Sequence, residues 1–151
     1  MAPITNSIEV ARPAPEVFAY VTDPRHMPEW QKGCLTGQRD GPETHVGSRC
    51  TTTRSIGGRE REVTTEITEY DPPHRWADRG IDGPIRAKVV VTVQPLADNA
   101  GSRVTIALDF VGHGIGKILV PLIVRRQAAR DMPANMRQLR QRLEGRASDA
   151  G

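Results

Sequence analysis

One arginine of the sequence stands out as a candidate for chemistry because it occupies an apolar stripe. Between residues 118 and 143, residues that are otherwise apolar recur at alternating spacings of four and three, the pattern of one buried helix face, and Arg125 takes one of these positions. A buried guanidinium without a partner is costly. Arg125 must therefore pair with an acid, reach water along the surface, or contact the polar end of a ligand in a wet cavity, and the sequence leaves these alternatives open.

The few aromatic residues are candidates for the wall of a pocket. Trp30 and Trp76 are the two tryptophans of the chain. A wide apolar ring with an N–H donor suits a pocket for flat apolar ligands as well as it suits a filled core. Tyr20 can donate its hydroxyl to a ligand carbonyl or close the core. Phe110 shares the inward face of a predicted strand with Leu108.

Four further residues could handle protons. His113 lies between two glycines where the last predicted strand leads into the long helix, a place from which an imidazole can reach a cavity. Asp78, Arg79 and Asp109 lie on predicted strands, and enolisation or dehydration needs a base together with a donor that stabilises an oxyanion. Strand alternation turns Asp109 outward if its neighbour Phe110 points inward.

The sequence excludes several reaction and cofactor classes. It lacks the motifs of serine hydrolases, zinc proteases and P-loop proteins. Its glycines at 112, 114 and 116 lack the spacing and the parallel sheet of a dinucleotide site. The histidines and cysteines have no metal-ligand spacing, so we expect neither a metal nor a cofactor. Two cysteines without a disulfide framework, Cys34 and Cys50, favour a reducing compartment and hence the cytoplasm.

Length and charge describe one ordinary soluble domain. The chain has 151 residues and a formal net charge of +3, which suits a single hydrophobic core. Its most apolar run, residues 115–124, includes Lys117 and is too short to cross a bilayer, so no membrane span is expected. Segment 117–146 holds eight basic and two acidic side chains, but no aromatic residue lies among them to stack on bases. We therefore expect a solvated helix face and no nucleic-acid partner.

The hydrophobic pattern predicts the order of the secondary structure. Residues 4–10 alternate as a half-buried strand, and Pro15 and Pro24 mark the starts of two short helices. A helix over 118–144 ends the domain, with a kink or short break expected near its Pro133, and residues 147–151 form a flexible tail. Between these parts, short alternating runs predict six further strands at 35–40, 47–55, 59–70, 75–81, 84–95 and 102–111.

Short motifs along the chain resemble those of one family. They are Ile8 to Pro24 with Pro28-Glu29-Trp30, Val46-Gly47-Ser48-Arg49, Glu69-Tyr70-Asp71-Pro72-Pro73, Gly83-Pro84, Ser102-Arg103-Val104-Thr105 and Leu108-Asp109-Phe110. Over residues 4–144 this order is similar to that of the polyketide cyclase/dehydrase group of the SRPBCC superfamily, which is related to START domains. The resemblance implies an α+β helix-grip fold as one domain over residues 1–146. In that fold a curved antiparallel sheet of about seven strands wraps around a long C-terminal helix, and two short helices follow strand 1.

The resemblance also implies a cavity between the sheet and the long helix. Members of the superfamily bind lipids, hormones, polyketides or other largely apolar molecules there, and some cyclise or dehydrate them. We expect binding of a small, largely apolar molecule by Tyr20, Trp30, Trp76, Phe110, His113 and Arg125. A polyketide cyclase or dehydratase using the same cavity is the alternative, with catalytic residues that the sequence does not identify. A third hypothesis is an interaction module that uses the arginine-rich helix face, and a homodimer is one option for its assembly.

Overall fold

A seven-stranded antiparallel sheet frames the structure, a computed structural model that describes residues 2–56 and 58–150, the last five as backbone only. The sheet has the spatial order β1-β7-β6-β5-β4-β3-β2, and each strand begins and ends within two residues of its prediction because turns rich in Gly, Pro and Asp stop the alternation. Its strands are β1 (Ile4–Val10), β2 (Cys34–Arg39), β3 (Arg49–Ile56), β4 (Arg59–Asp71), β5 (Arg75–Gly80), β6 (Ile85–Pro95) and β7 (Ser102–Gly112).

Two short helices connect β1 to β2, as predicted. Helix α1 spans Ala14–Val21, and a 3-10 turn leads into the single-turn helix α2, Met27–Trp30. Prolines occupy the first turns, where their missing N–H bonds would lack a helical partner in any case. Asp23 caps the 3-10 turn by accepting a hydrogen bond from the backbone N–H of Arg25 at 3.0 Å. Local capping and proline chemistry thus place Trp30 at the end of α2.

The C-terminal helical segment differs from its prediction at both prolines. It comprises the single-turn helix α3 (Gly116–Leu119), a π turn (Val120–Val124) and the long helix α4 (Arg125–Ala150). Of the kink or short break predicted near Pro133, the break is wrong, because α4 continues through that residue, and the kink stays a prediction. The irregular turn instead contains Pro121, which has no N–H to donate to the preceding turn. The flexible tail predicted for residues 147–151 lies outside the residues whose side chains are described.

The π turn changes which residues of this segment face inward. Ile118 and Leu122, predicted on the buried stripe, are 60% and 58% exposed, whereas Val120 and Val124 are buried. A π turn holds more residues than an α turn and therefore rotates the apolar stripe on its N-terminal side relative to α4. From Met132 to Leu143 the stripe is buried as predicted.

Helix α4 covers a filled core with one half and a hollow with the other. Its C-terminal half buries Leu139 and Leu143 among side chains of β1 and α1. Its N-terminal half, from Gln127 to Asn135, lies with the last residue of the π turn, Val124, over a cavity in the concave face of the sheet. This arrangement is the predicted helix-grip fold, which is confirmed. Within the described residues, no helix is long and apolar enough to cross a membrane.

Candidate ligand-binding cavity

The cavity lies between the concave face of the sheet, helix α2 and the N-terminal half of α4. Its volume is about 220 Å³, somewhat below the ~300–1,000 Å³ typical of pockets for drug-sized ligands. Strands β4 to β7 each contribute every second residue, since alternate side chains of a strand point to the same face, and β3 adds Ser55 to its alternating residues. A compound of modest size fits such a space, and most of the side chains that would contact it come from the sheet.

One wall of the cavity, formed by β6 and β7, is apolar. Its facing pairs in the strand register are Ala87 with Phe110, Val89 with Leu108, and Val91 with Ile106. The π turn adds Val124 above them, and helix α4 adds Ala128. Side chains of this kind gain free energy by removing apolar ligand surface from water, at about 25 cal/mol per Å². We call the inward-facing residues of these two strands the apolar wall: Ile85, Ala87, Val89 and Val91 on β6, and Ile106, Leu108 and Phe110 on β7.

The opposite wall, formed by β3, β4 and β5, carries polar groups. Cys50, Thr52 and Arg54 lie on the inward face of β3, Thr65 lies on β4, and Asp78 lies on β5. The register sets Cys50 opposite Thr65 and sets Asp78 opposite an isoleucine of β4. We call these five residues the polar wall. The cavity is therefore polar on one side and apolar on the other.

Asp78 is the acid of the polar wall and is only 6% exposed. Burial raises its pKa to about 7, although a hydrogen bond from the Thr65 side chain and the charge of Arg54 act in the opposite direction. Its Oδ1 atom is buried and has no hydrogen-bond partner. A carboxyl group in this state can accept or release a proton near neutral pH and can accept one more hydrogen bond.

Two buried donors in the same cavity also have no partner. The Nε1 atoms of Trp30 and Trp76 are buried without an acceptor. Within the described residues, these two atoms and Oδ1 of Asp78 are the buried side-chain polar atoms without a partner, and all three belong to residues that line the cavity. Such atoms are uncommon in folded proteins because each one forfeits its hydrogen bond to water. Their concentration here indicates a place for a polar group that arrives from outside.

Arg54 holds a guanidinium in position at the polar wall. Its Nη1 donates to Oε1 of Gln31 at 2.8 Å, and its Nε donates to the hydroxyl of Thr52 at 3.2 Å. A guanidinium has five N–H bonds, so these two contacts orient the group and leave further donors for another acceptor. This fixed cation can stabilise negative charge on a ligand oxygen.

Cys50 cannot act as a nucleophile in this environment. Burial, together with the negative charge of Asp78, raises the pKa of its thiol to about 11. A thiol is nucleophilic only as the thiolate, and this one is protonated at neutral pH. The cavity therefore offers Asp78 and Arg54, and no sulfur nucleophile on β3.

The rim of the cavity joins the loop after α2 to helix α4. The backbone N–H of Lys32 donates to Oδ1 of Asn135 at 3.0 Å, and its Nζ lies 3.8 Å from Oδ1 of Asp131. All three residues line the cavity, and the Lys32 side chain is also exposed to solvent. These contacts mark where the cavity approaches the surface.

The six residues predicted from the sequence to bind a ligand divide into two groups. Trp30, Trp76 and Phe110 line the cavity, whereas Tyr20, His113 and Arg125 do not. Tyr20 is buried in the core, its hydroxyl donates to Oε1 of Glu29 at 2.8 Å, and its ring stacks against a histidine. It closes the core, one of the two roles that its sequence position allowed.

Arg125 lies at the edge of the sheet and pairs with an acid. Its Nη1 is 2.7 Å from Oδ1 of Asp109, and its Nη2 donates to the carbonyl oxygen of Ala2 at 2.6 Å. Because of the π turn, the preceding Val124 faces the cavity at this level of the helix. Of the alternatives left open by the sequence, pairing with an acid is the one observed.

The remaining candidates for proton transfer lie on different surfaces. His113 is exposed on the connection from β7 to α3. Asp109 is on the outer face of β7, as strand alternation predicts, and Arg79 lies 3.6 Å from Glu66 at the surface. Asp78 is the one of these residues that lines the cavity.

The other four residues of the polar wall were not predicted as site residues. They are Cys50, Thr52, Arg54 and Thr65, and the first three lie on the predicted strand 47–55, which is polar on both faces. An inward strand face with polar residues at every second position indicates a lined cavity rather than a dry core. That pattern was the signal that could have identified them.

Comparison with known proteins agrees with the architecture. The family model described as polyketide cyclase / dehydrase and lipid transport matches residues 1–144. Among proteins of curated function, none matches the chain.

Solved structures share the fold at low sequence identity. The Zhui aromatase/cyclase from Streptomyces sp. R1128 is similar with a TM-score of 0.81 and 15% identity, over 99% of this chain and 97% of that one. The protein TTHA0849 from Thermus thermophilus has a TM-score of 0.74 and 16% identity, over 93% and 96%. A START superfamily protein from Mycobacterium smegmatis has a TM-score of 0.71 and 14% identity over 100% of both chains. At these identities the likeness concerns the fold.

Proposed function

Because the chain belongs to the polyketide cyclase / dehydrase and lipid transport family, we propose that it binds a small, largely apolar molecule in the cavity under α4. The observation that carries the proposal is that the three residues with unpartnered buried polar atoms, Trp30, Trp76 and Asp78, all line one cavity. The apolar part of the ligand lies against the apolar wall, and its polar end lies against the polar wall.

The two walls have different roles in this proposal. Burial against β6 and β7 supplies most of the affinity, because apolar area removed from water contributes about 25 cal/mol per Å². Hydrogen bonds at the polar wall contribute less net free energy, yet they orient the ligand and reject molecules that leave them unmade. Phe110 belongs to the first role, and Trp30 and Trp76 contribute an apolar ring and an N–H donor each.

A matched pair of substitutions tests ligand binding. Ala87 faces the cavity on β6, and Ala107 faces the opposite side of the sheet on the neighbouring strand. Ala87→Phe fills the cavity and Ala107→Phe does not. Native mass spectrometry of protein purified from its own host should find a retained small molecule in the wild type and in Ala107→Phe, and none in Ala87→Phe. Equal retention by both variants, or bound material that does not require the cavity, would overturn the proposal.

A second candidate function is cyclase or dehydratase chemistry, and the presence of Asp78 and Arg54 on the same wall of the cavity favours it. The Asp78 carboxylate can accept a proton from the carbon beside a ligand carbonyl, which leaves the electron pair as an enolate whose oxygen accepts hydrogen bonds from Arg54. A base with a pKa near the operating pH is suited to this step, and a fixed cation stabilises the oxyanion.

Proton exchange measures that step without knowledge of the natural substrate. In deuterium oxide, the wild type should speed deuterium uptake into the methyl group of 2-acetylnaphthalene at least tenfold over buffer. Asp78→Asn and Arg54→Leu should abolish the acceleration. Tyr20→Phe and His113→Ala should retain it, because neither residue lines the cavity. A wild-type rate equal to that of buffer would reject this candidate and leave ligand binding intact.

A further inference from the structure

We propose that Asp78 determines the specificity of the cavity by selecting ligands that present a hydroxyl group to its Oδ1. The inference rests on the proposed function, since it describes which ligands the cavity accepts. It starts from the unpartnered, buried Oδ1 atom and from the lack of a suitable donor on the strands around it.

The strands beside Asp78 place no side-chain donor opposite it in the register. Its cross-strand neighbours are Ile67 on β4 and Val89 on β6, and both are apolar. On its own strand, Gly80 has no side chain, and the indole N–H of Trp76 has no partner. The Thr65 side chain donates one hydrogen bond. Neither neighbouring strand supplies a second donor, and Oδ1 of Asp78 therefore has an acceptor position that a molecule in the cavity can fill.

The charges around Asp78 favour a neutral donor over a cation. Arg54 acts on Asp78 as the neighbouring positive charge, and Cys50, the other titratable group on the inward face of β3, is a protonated thiol. At the rim, Lys32 and Asp131 offset each other. An ammonium group beside Asp78 would share a small cavity with the guanidinium of Arg54, which would repel it. A hydroxyl group donates the hydrogen bond without adding charge.

The two tryptophans narrow the ligand class further. Trp30 and Trp76 have indole N–H donors that need acceptors, and a hydroxyl or carbonyl oxygen can accept from them. Their rings offer flat apolar surface, which suits planar rings. The class is therefore a planar, largely apolar molecule that carries a hydroxyl group at the end nearest the polar wall.

Calorimetric titration with two probes tests this selection. The probes are 2-naphthol and 2-methoxynaphthalene, which share the ring and differ in the hydrogen-bond donor. The wild type should bind 2-naphthol about 10- to 100-fold more tightly, the range that a buried hydrogen bond to an ionisable group provides. Asp78→Leu, which has a similar size and no acceptor, should bind the two within threefold of each other. Asp71→Leu, at an exposed position on β4, should keep the wild-type preference.

Asp78→Asn is a conservative variant that distinguishes a loss of the acceptor oxygen from misfolding of Asp78→Leu. Asp78→Asn keeps an acceptor oxygen of the same reach, so it should retain at least part of the preference that Asp78→Leu loses. If Asp78→Leu keeps the full preference for 2-naphthol, the role of Asp78 is overturned. If the wild type binds both probes equally and Ala87→Phe abolishes both, the role of Asp78 is again overturned while the cavity remains a binding site. If neither probe binds the wild type, this inference falls together with the proposed function.

Discussion

The two walls of the cavity are built from neighbouring strands of one sheet, yet they offer a ligand chemically different surfaces. Strands β6 and β7 present aliphatic and aromatic side chains in facing pairs. Strands β3 to β5 present a thiol, two hydroxyl groups, a guanidinium and a carboxyl group. The apolar wall can favour any apolar molecule, whereas the polar wall favours only those that satisfy its unpaired atoms. We therefore expect the apolar wall to supply most of the affinity and the polar wall most of the selectivity, and substitutions in one wall at a time can distinguish the two.

The largest expected effect is on the free energy of unfolding, which the buried charge of Asp78 lowers. Asp78 has an ordinary pKa of about 3.9 when unfolded and one of about 7 when folded. Its ionisation therefore opposes folding: the cost is absent below pH 4, grows as the pH rises towards 7, and is constant above that. Asp78→Asn should raise the free energy of unfolding by up to about 4 kcal/mol at pH 8 and by much less at pH 4.

Urea unfolding at pH 4, 6 and 8 measures this prediction, with Asp71→Asn as a control that should show no such trend. A gain of the same size at all three pH values would mean that burial of the Asp78 charge does not explain it.

Shortening the apolar wall should reduce affinity without changing selectivity. Leu108→Ala removes part of the surface that faces Val89, and the loss of its methyl groups should weaken binding of both naphthalene probes by about 1–2 kcal/mol. The ratio of the two affinities should stay at the wild-type value. Calorimetric titration measures the affinity of each probe. A changed ratio of the two affinities would show that the walls do not act separately.

A substitution outside both walls should affect stability alone. Arg125→Leu breaks the ion pair with Asp109 and the hydrogen bond to the Ala2 carbonyl, which should lower the free energy of unfolding by about 1–2 kcal/mol. Binding of the probes should be unchanged, because Arg125 does not line the cavity. Thermal unfolding and calorimetry on the same sample test both parts. A loss of binding at wild-type stability would restore the ligand-binding role that the sequence suggested.

The smallest effect is expected at the rim. Lys32→Ala removes a side chain whose Nζ lies 3.8 Å from Asp131 and is well exposed. It leaves the backbone hydrogen bond to Asn135 in place. Such surface ion pairs contribute about 0–1 kcal/mol, so stability should change by no more than this and probe affinity should stay within about fivefold of wild type. A larger loss of affinity would assign the rim a direct part in binding.

The same contrast between walls explains how much the sequence could predict. In β6 and β7, apolar and polar residues alternate cleanly, so the hairpin and the inward position of Phe110 followed from the pattern. In β3, both faces are polar, and the pattern did not distinguish the face that carries Arg54. Asp78 was recognised as a strand residue able to handle protons, but its direction depends on the register with its neighbours, which the local sequence does not specify.

Arg125 illustrates a different limit. The spacing of apolar residues placed it on the buried stripe only if the helix was regular from residue 118 onward. The π turn around Pro121 rotates the stripe, so that Val120 and Val124 are buried and Arg125 reaches the sheet edge. One residue added to one helical turn shifts every earlier position by about 100°. Periodicity therefore predicted the face of α4 from Met132 onward and not the face of the segment before it.

A ligand that occupies the cavity should contact both tryptophans, and the indole N–H signals report such contact directly. The chain has two tryptophans, so a ¹⁵N-labelled sample gives two indole resonances, and both residues line the cavity. Titration with 2-naphthol should shift both resonances along one binding curve in the wild type and in Ala107→Phe, and shift neither in Ala87→Phe. Binding that leaves both indole resonances unmoved in the wild type would show that the ligand does not lie against Trp30 and Trp76.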